Sequence, residues 1–280
     1  MKLYFLAAGY GKNSGYLVQG DSWQVLRYPV MCLLIERDNG DLALVDTGLG
    51  SRQAEDFKPP IYCGAQFNAW MNGFTKVDLS KEALINQLPT LGFDPMKVTT
   101  TIVSHLHYDH AGGMPDFAHA KQLVNKREWD AVSARRGFAE FHSGCLRTQY
   151  QAEGLDIDLI SADPRRPYHN FPGSYDVFGD GSVVVVDING HSPGLIGAFV
   201  NLPSGKSFFF TSDAWVFPAG FEKRKRKPRW ARAILGEGQE ADQTIERIHR
   251  LHEERPDIEI IGAHDPRVPG RLNLAPFFYE

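Results

Sequence analysis

Apolar residues fall in short runs that end in turn formers, the pattern of β-strands, along most of the chain. Leu3–Ala7, Val30–Ile35, Leu42–Val45, Thr99–Val103 and Gln122–Val124 come first. Val183–Ile188, Ala198–Leu202, Ser207–Thr211 and Ile258–Ile261 follow. Asp38-Asn39-Gly40-Asp41 reads as a turn between two early strands, and Pro203-Ser204-Gly205-Lys206 as a hairpin between two later ones. Helical spacing appears twice. Leu84, Leu88 and Leu91 mark one face of a helix opening near Ser80 and ending at Gly92. Gln239–Glu254 places Ile245, Ile248 and Leu251 on one side and alternating charges on the other. Strand hairpins fill the early half and helices enter between later strands. That order predicts an α+β fold, with packed sheets and outer helices in place of a regular βαβ repeat.

Composition narrows this picture without changing it. With 280 residues, 42% hydrophobic and 23% charged, the chain has the make-up of a globular enzyme. It shows no internal repeat and no linker-like segment, so residues 1–280 are expected to form a single domain. Cys32, Cys63 and Cys145 are odd in number and lack C-x-x-C spacing, which points to neither a disulfide framework nor a thiolate zinc site. Cys32, inside an apolar run, reads as a buried inert thiol. A net charge of −4 excludes a globally basic nucleic-acid binder. No apolar stretch approaches the ~20 residues of a membrane-spanning helix. The opening Met1–Gly9 has one lysine and an apolar segment at the lower limit for a signal peptide. It reads as a first strand, and the protein as cytoplasmic. Aromatic residues in the N-terminal half would suit a homodimer.

The chemistry concentrates in Ser104-His105-Leu106-His107-Tyr108-Asp109-His110-Ala111-Gly112-Gly113, directly after an apolar strand. His105 and His107, two apart on extended chain, point to one side. Asp109 and His110 follow as the chain turns. Imidazole and carboxylate are the ligands zinc accepts without thiolates, and Gly112 and Gly113 would let the backbone wrap closely around a metal. Three further segments each follow an apolar strand: Gly190-His191-Ser192-Pro193-Gly194, Thr211-Ser212-Asp213-Ala214 and Gly262-Ala263-His264-Asp265. Together with the cluster they offer five histidines and two carboxylates, enough for two metal ions.

The H-x-H-x-D-H motif of His105, His107, Asp109 and His110, followed by His191, Asp213 and His264, resembles the metallo-β-lactamase superfamily of hydrolases. So does Asp46-Thr47-Gly48 after an early strand. The resemblance covers nearly the whole chain and implies a four-layer αββα sandwich with two metals, most readily Zn²⁺, at one edge. It would assign His105, His107 and His191 to the first metal, and Asp109, His110 and His264 to the second. Asp213 would bridge the two, and Asp46 would support the site without ligating. Met1-Lys2-Leu3-Tyr4, Tyr28-Pro29-Val30, His191-Ser192-Pro193-Gly194 and the 22-residue step from His191 to Asp213 further resemble the branch that opens N-acyl-homoserine lactones. The implied reaction is attack of a metal-bridging hydroxide on the ester carbonyl, with Asp109 delivering a proton to the leaving alkoxide.

One departure stands out. Where those lactonases usually carry a tyrosine, this chain has Val216, so either another donor such as Tyr28 or Tyr108 replaces its hydroxyl or the substrate differs. Trp23, Trp70, Phe74, Trp215, Phe217 and Phe221 are candidates to wall an apolar pocket, Trp215 and Phe217 foremost because they lie near Asp213. The basic run Lys223–Lys227, with Arg229 and Arg232, is either a solvated loop or an anion site. Phosphodiesterase and thioesterase chemistry on the same scaffold, or a non-catalytic metal-binding sensor, are the alternatives. The chain shows neither the long arm with which ribonuclease Z recruits tRNA nor the C-terminal helical region of glyoxalase II. The expected partner is therefore a small ester or lactone, with no membrane or nucleic acid.

Overall fold

Alternation with a period of two decides the architecture, because successive side chains of a strand face opposite sides of its sheet. In the computed structural model, which describes residues 1–14, 25–52, 82–215, 219–224, 232 and 238–280, eleven named strands form two sheets. The first sheet orders β1 (Lys2–Ser14), β2 (Val25–Glu36), β3 (Leu42–Val45), β4 (Val98–Val103), β5 (Lys121–Asn125) and β6 (Asp156–Ile160) consecutively. The second runs β11 (Ile258–Ile261), β10 (Ser207–Phe210), β9 (Ile196–Asn201), β8 (Val183–Asp187), β7 (Tyr175–Asp176). Leu3, Phe5, Met31, Leu33, Ile35 and Val45 project inward from the first sheet and meet Val183, Val185, Ala198, Val200, Phe208 and Phe210 of the second. This is the central apolar layer.

The intervening residues face the opposite way and must be covered too, which is why these strands are apolar on both faces. Tyr4, Leu6, Cys32, Leu34, Leu42 and Leu44 pack beneath Leu84 and Leu88 of helix α1 (Leu84–Thr90). Val103 and Val124 pack with Val132, from α2 (Lys126–Val132). Val184, Phe199, Phe209, Ile258 and Ile260 lie under Ile248 and Leu251 of α3 (Gln239–Glu254). Phe199 and Phe209 stack nearly parallel with centroids 3.9 Å apart. The layers are thus helix, sheet, sheet, helix, as expected.

Strand β1 runs on past Ala7 because β2 begins earlier and the pair continues through a register shift to Ser14. Glycines and polar residues concealed this extension. Strand β6 was not foreseen, since its acid-rich sequence DIDLI suits the sheet edge it occupies. The other edge, β1, pairs through Leu3 with Tyr279 near the chain end. Among the described residues the exposed large aromatics are Phe277 and Phe278, near the C-terminal end. No helix of the described residues is long and apolar enough to cross a membrane. Ser80, Cys63, Trp23, Trp70, Phe74, Val216, Phe217, Lys225–Lys227 and Arg229 lie outside the described residues.

Candidate metal centre

Strands β3 and β4 are parallel, as are β10 and β11, so their C-terminal ends open at one edge of each sheet. Asp46 follows β3, the 105–113 loop follows β4, His191 follows β8, Asp213 follows β10 and His264 follows β11. Loops at strand ends here bring all seven expected ligand residues together. His105, His107, His191 and Asp213 present ligand atoms within 4.8 Å of one another, and so do Asp109, His110 and His264. Asp213 sits between the two groups. Its Oδ2 lies 3.4 Å from His191 Nε2, while its Oδ1 lies 3.2 Å from His110 Nε2 and 3.3 Å from His264 Nε2. The other oxygen pair of the site is Asp109's, 3.3 Å from His264 and 3.8 Å from His110.

Three of the five rings are aimed by a bond on the far side. His110 Nδ1 is 2.8 Å from Asp46 Oδ2, and His264 Nδ1 donates to the Pro29 carbonyl at 2.8 Å. His105 Nδ1 lies 3.1 Å from the Ser104 hydroxyl. Asp46 also accepts from the Ser104 backbone N–H at 2.7 Å and the Ser104 hydroxyl at 2.8 Å. Ser104 Oγ in turn meets Ser212 Oγ at 2.7 Å. This web holds ligand orientation before any ion arrives. Ser104 and Ser212 were not singled out from sequence: each directly precedes a ligand, but a lone serine carries no spacing signal. Asp46 and Ser212 adopt left-handed backbone, with φ of 62° and 45°. Such positions cost about 1–3 kcal/mol each and persist only where surrounding contacts fix them.

Gly112 and Gly113 serve a purpose other than the one expected. A Cβ on Gly112 would lie 2.4 Å from the Tyr108 carbonyl oxygen and 2.7 Å from that of Gly48. Glycine is needed here so that the Asp46 turn and the ligand loop can touch backbone to backbone.

Electrostatics divide the cluster. Burial, reinforced by the neighbouring histidines, holds His105 well below the ordinary histidine range, and the same causes bring His107 down to about 3. Burial would also lower His110, but the charges of Asp213, Asp109 and Asp46 outweigh it and raise His110 to about 10. His264 rises well above its usual value against burial, mainly through Asp213. Asp109, which burial alone would raise, is held at about 2 by His110 and His264. Without an ion the cluster stores protons between buried rings and carboxylates.

These residues fit a pair of divalent ions. The buried His105 Nε2, His110 Nε2 and Asp213 Oδ1 have no hydrogen-bond partner among the described residues, despite the 3.2 Å approach of the last two. Buried polar atoms left this way need an explanation. Nitrogen and carboxylate donors without thiolate are what zinc and similar ions accept.

Cys32 is fully buried and its thiol is pushed up by burial. Trp215, placed by sequence at a pocket wall, is buried against Phe221 in the layer under α3, centroids 4.4 Å apart. Tyr28 sets its ring 5.0 Å from that of His264. The Tyr108 hydroxyl is pushed well up by burial and by Asp109, Tyr28 and Asp213. Within the basic run, Arg224 pairs with Glu246 at 3.5 Å and Arg232 with Asp242 at 3.0 Å, both acids on α3.

A helix–sheet–sheet–helix sandwich with two histidine–aspartate sets at one edge defines a class of metal-dependent enzymes. The model of the metallo-beta-lactamase superfamily matches residues 25–214, more than half of the chain, and the chain belongs to that superfamily. Over its full length it is 27% identical to the N-acyl homoserine lactonase AttM of Rhizobium radiobacter, covering 98% of that protein. It is 28% identical to an N-acyl homoserine lactonase of Bacillus thuringiensis, over 79% of this chain and 78% of that one. A solved B. thuringiensis AiiA variant with N-decanoyl-L-homoserine at its active site matches with a TM-score of 0.76 at 23% identity, over 99% of this chain and 98% of that one. The dizinc lactonase AidC matches at 0.62 and 15% identity, over 99% and 92%.

Proposed function

We propose that this protein, as one domain over residues 1–280, is a hydrolase that opens the ring of an N-acyl-homoserine lactone or a related ester. The observation that carries the reading is Asp213, whose two oxygens face the two ligand groups separately. His105, His107 and His191 would hold one zinc ion and Asp109, His110 and His264 the other, with Asp213 shared. The lactonases named above, alike over most or all of their length, support the substrate class. Quorum quenching, as in the lactonase AidC, is the corresponding role, and the proposed location is the cytoplasm.

When bound, such a metal pair supplies Lewis-acid polarisation of a carbonyl and lowers the pKa of water toward neutrality. The chain's residues do the rest. Asp109, held as a carboxylate by His110 and His264, accepts the proton released as water adds to the ester carbonyl. It passes that proton to the alkoxide as the ring C–O bond breaks, giving the hydroxy acid. Tyr28, whose ring packs against His264, and Tyr108, whose phenol is kept protonated by burial and by Asp109, would be the donors to the carbonyl oxygen. Asp46 fixes the His110 ring throughout.

Substituting Asp213→Ala tests the scheme. Zinc content and lactone hydrolysis are expected to fall together, and full activity in that variant would contradict it.

A further inference from the structure

The ligands of the first group come from both sheets: His105 and His107 follow β4 of one, His191 and Asp213 follow β8 and β10 of the other. Something must hold the two sheets' loops at a fixed separation. Glu128, on the first turn of α2, is fully buried and lies outside both ligand groups. An acid there often strengthens its own helix end, but this carboxylate reaches elsewhere. Its Oε1 accepts from the backbone N–H of Leu106 at 3.2 Å, between His105 and His107. Its Oε2 accepts from the backbone N–H of Gly194 at 2.8 Å, in the turn that carries His191. His191 Nε2 and His107 Nδ1 then come within 3.1 Å.

Two other contacts show that the turn is seated on this helix. A Cβ on Gly194 would fall 2.2 Å from the Glu128 backbone nitrogen, so the turn lies directly on the start of α2. Asn125, which caps α2 by accepting from the Arg127 N–H, also donates to Asp187 Oδ1 at 2.8 Å, at the end of β8. The carboxylate is the central strut, because one side chain bonds both the His105–His107 segment and the His191 turn. Two N–H groups converge on it, one per oxygen, an arrangement that favours a carboxylate acceptor.

We infer that Glu128 is a positioning residue for the first metal: it spans the two sheets and fixes the spacing of the His105–His107 segment against the His191 turn. The inference rests on the two-metal reading of the site. An amide at this position can accept only one of the two N–H groups and turns a donor toward the other. Alanine bonds neither. Support of this outer kind is typically worth about 10–100-fold in metal affinity.

The test is stepwise zinc titration of metal-free protein against a chromophoric chelator, for wild type, Glu128→Gln and Glu128→Ala, with cobalt absorption spectra of the same samples. One of the two binding steps is expected to weaken about 10–100-fold in Glu128→Gln, and further in Glu128→Ala. The other step should hold its wild-type value even as the lost buried hydrogen bond lowers the urea midpoint of metal-free Glu128→Gln. Two unchanged steps would overturn the inference, as would equal weakening of both. A wild-type chain that bound no zinc would remove the two-metal reading and this inference with it, an outcome distinct from unchanged variants.

Discussion

At the scale of single residues, the site is a set of bases and acids whose proton affinities are set by one another. His110 at about 10 carries an extra proton near neutral pH, on the nitrogen that faces Asp213 and Asp109. A metal must displace that proton, so loading at pH 7.5 is expected to release protons. Release should diminish as pH rises through about 10, where the ring has already given its proton up. Zinc affinity should correspondingly weaken as pH falls. Calorimetric titration in buffers of different ionisation enthalpy reads this directly, and zinc binding without buffer dependence would count against the protonated cluster. In the metal-free protein the same raised value stabilises the fold fully below His110's ordinary 6.5, and that contribution is lost as pH climbs through about 10. The phenols make a second case. Removal of a donor to a developing oxyanion costs about 10²–10³ in kcat, so Tyr28→Phe or Tyr108→Phe is expected to lose activity on that order while zinc content stays complete. Wild-type rates in both would leave the carbonyl without a phenolic donor.

At the scale of elements, much of the fold is legible in the sequence. Strands β3 and β11 and helix α3 match their expected bounds, because each is a clean apolar run or a clean amphipathic face ended by turn formers. The cluster after β4 was legible through density, four candidate ligands within six residues. Its partners His191, Asp213 and His264 were legible as residues placed just after strands, although only the tertiary fold brings them to one edge. What sequence did not reveal was support held through lone residues: Ser104, Ser212 and Glu128 each act from one isolated position, which produces no periodicity. Strand β6 escaped because an acidic edge strand need not be apolar on both faces. The two glycines of the ligand loop were noticed for conformational freedom, whereas their contribution is the close contact of that loop with the Asp46 turn. Gly112→Ala should therefore force the two backbones apart, destabilising the protein by about 1–3 kcal/mol and weakening zinc binding. Urea unfolding with a parallel zinc titration measures both, and an unaffected variant would show that the loops have room to spare.

At the scale of the molecule, two sheets share one apolar interior and meet at an edge where five strand ends supply the chemistry. Neither sheet holds a complete site: the first contributes the 105–110 cluster, the second His191, Asp213 and His264. On the proposed two-metal reading, metal binding and the docking of the sheets would be coupled, since ions held across the edge would stabilise only the closed sandwich. The apolar layer between the sheets supplies the rigidity that a two-ion site needs, and the helices α1, α2 and α3 close the outer faces.

The measurement that bears most directly on all of this is acid release by zinc-loaded protein from a panel of short- and long-chain N-acyl-homoserine lactones, run beside a chelated control. Ring opening that the chelator abolishes and added zinc restores is the expected result. A protein shown to carry two zinc ions per chain, yet leaving every lactone of the panel intact, would contradict the proposed activity.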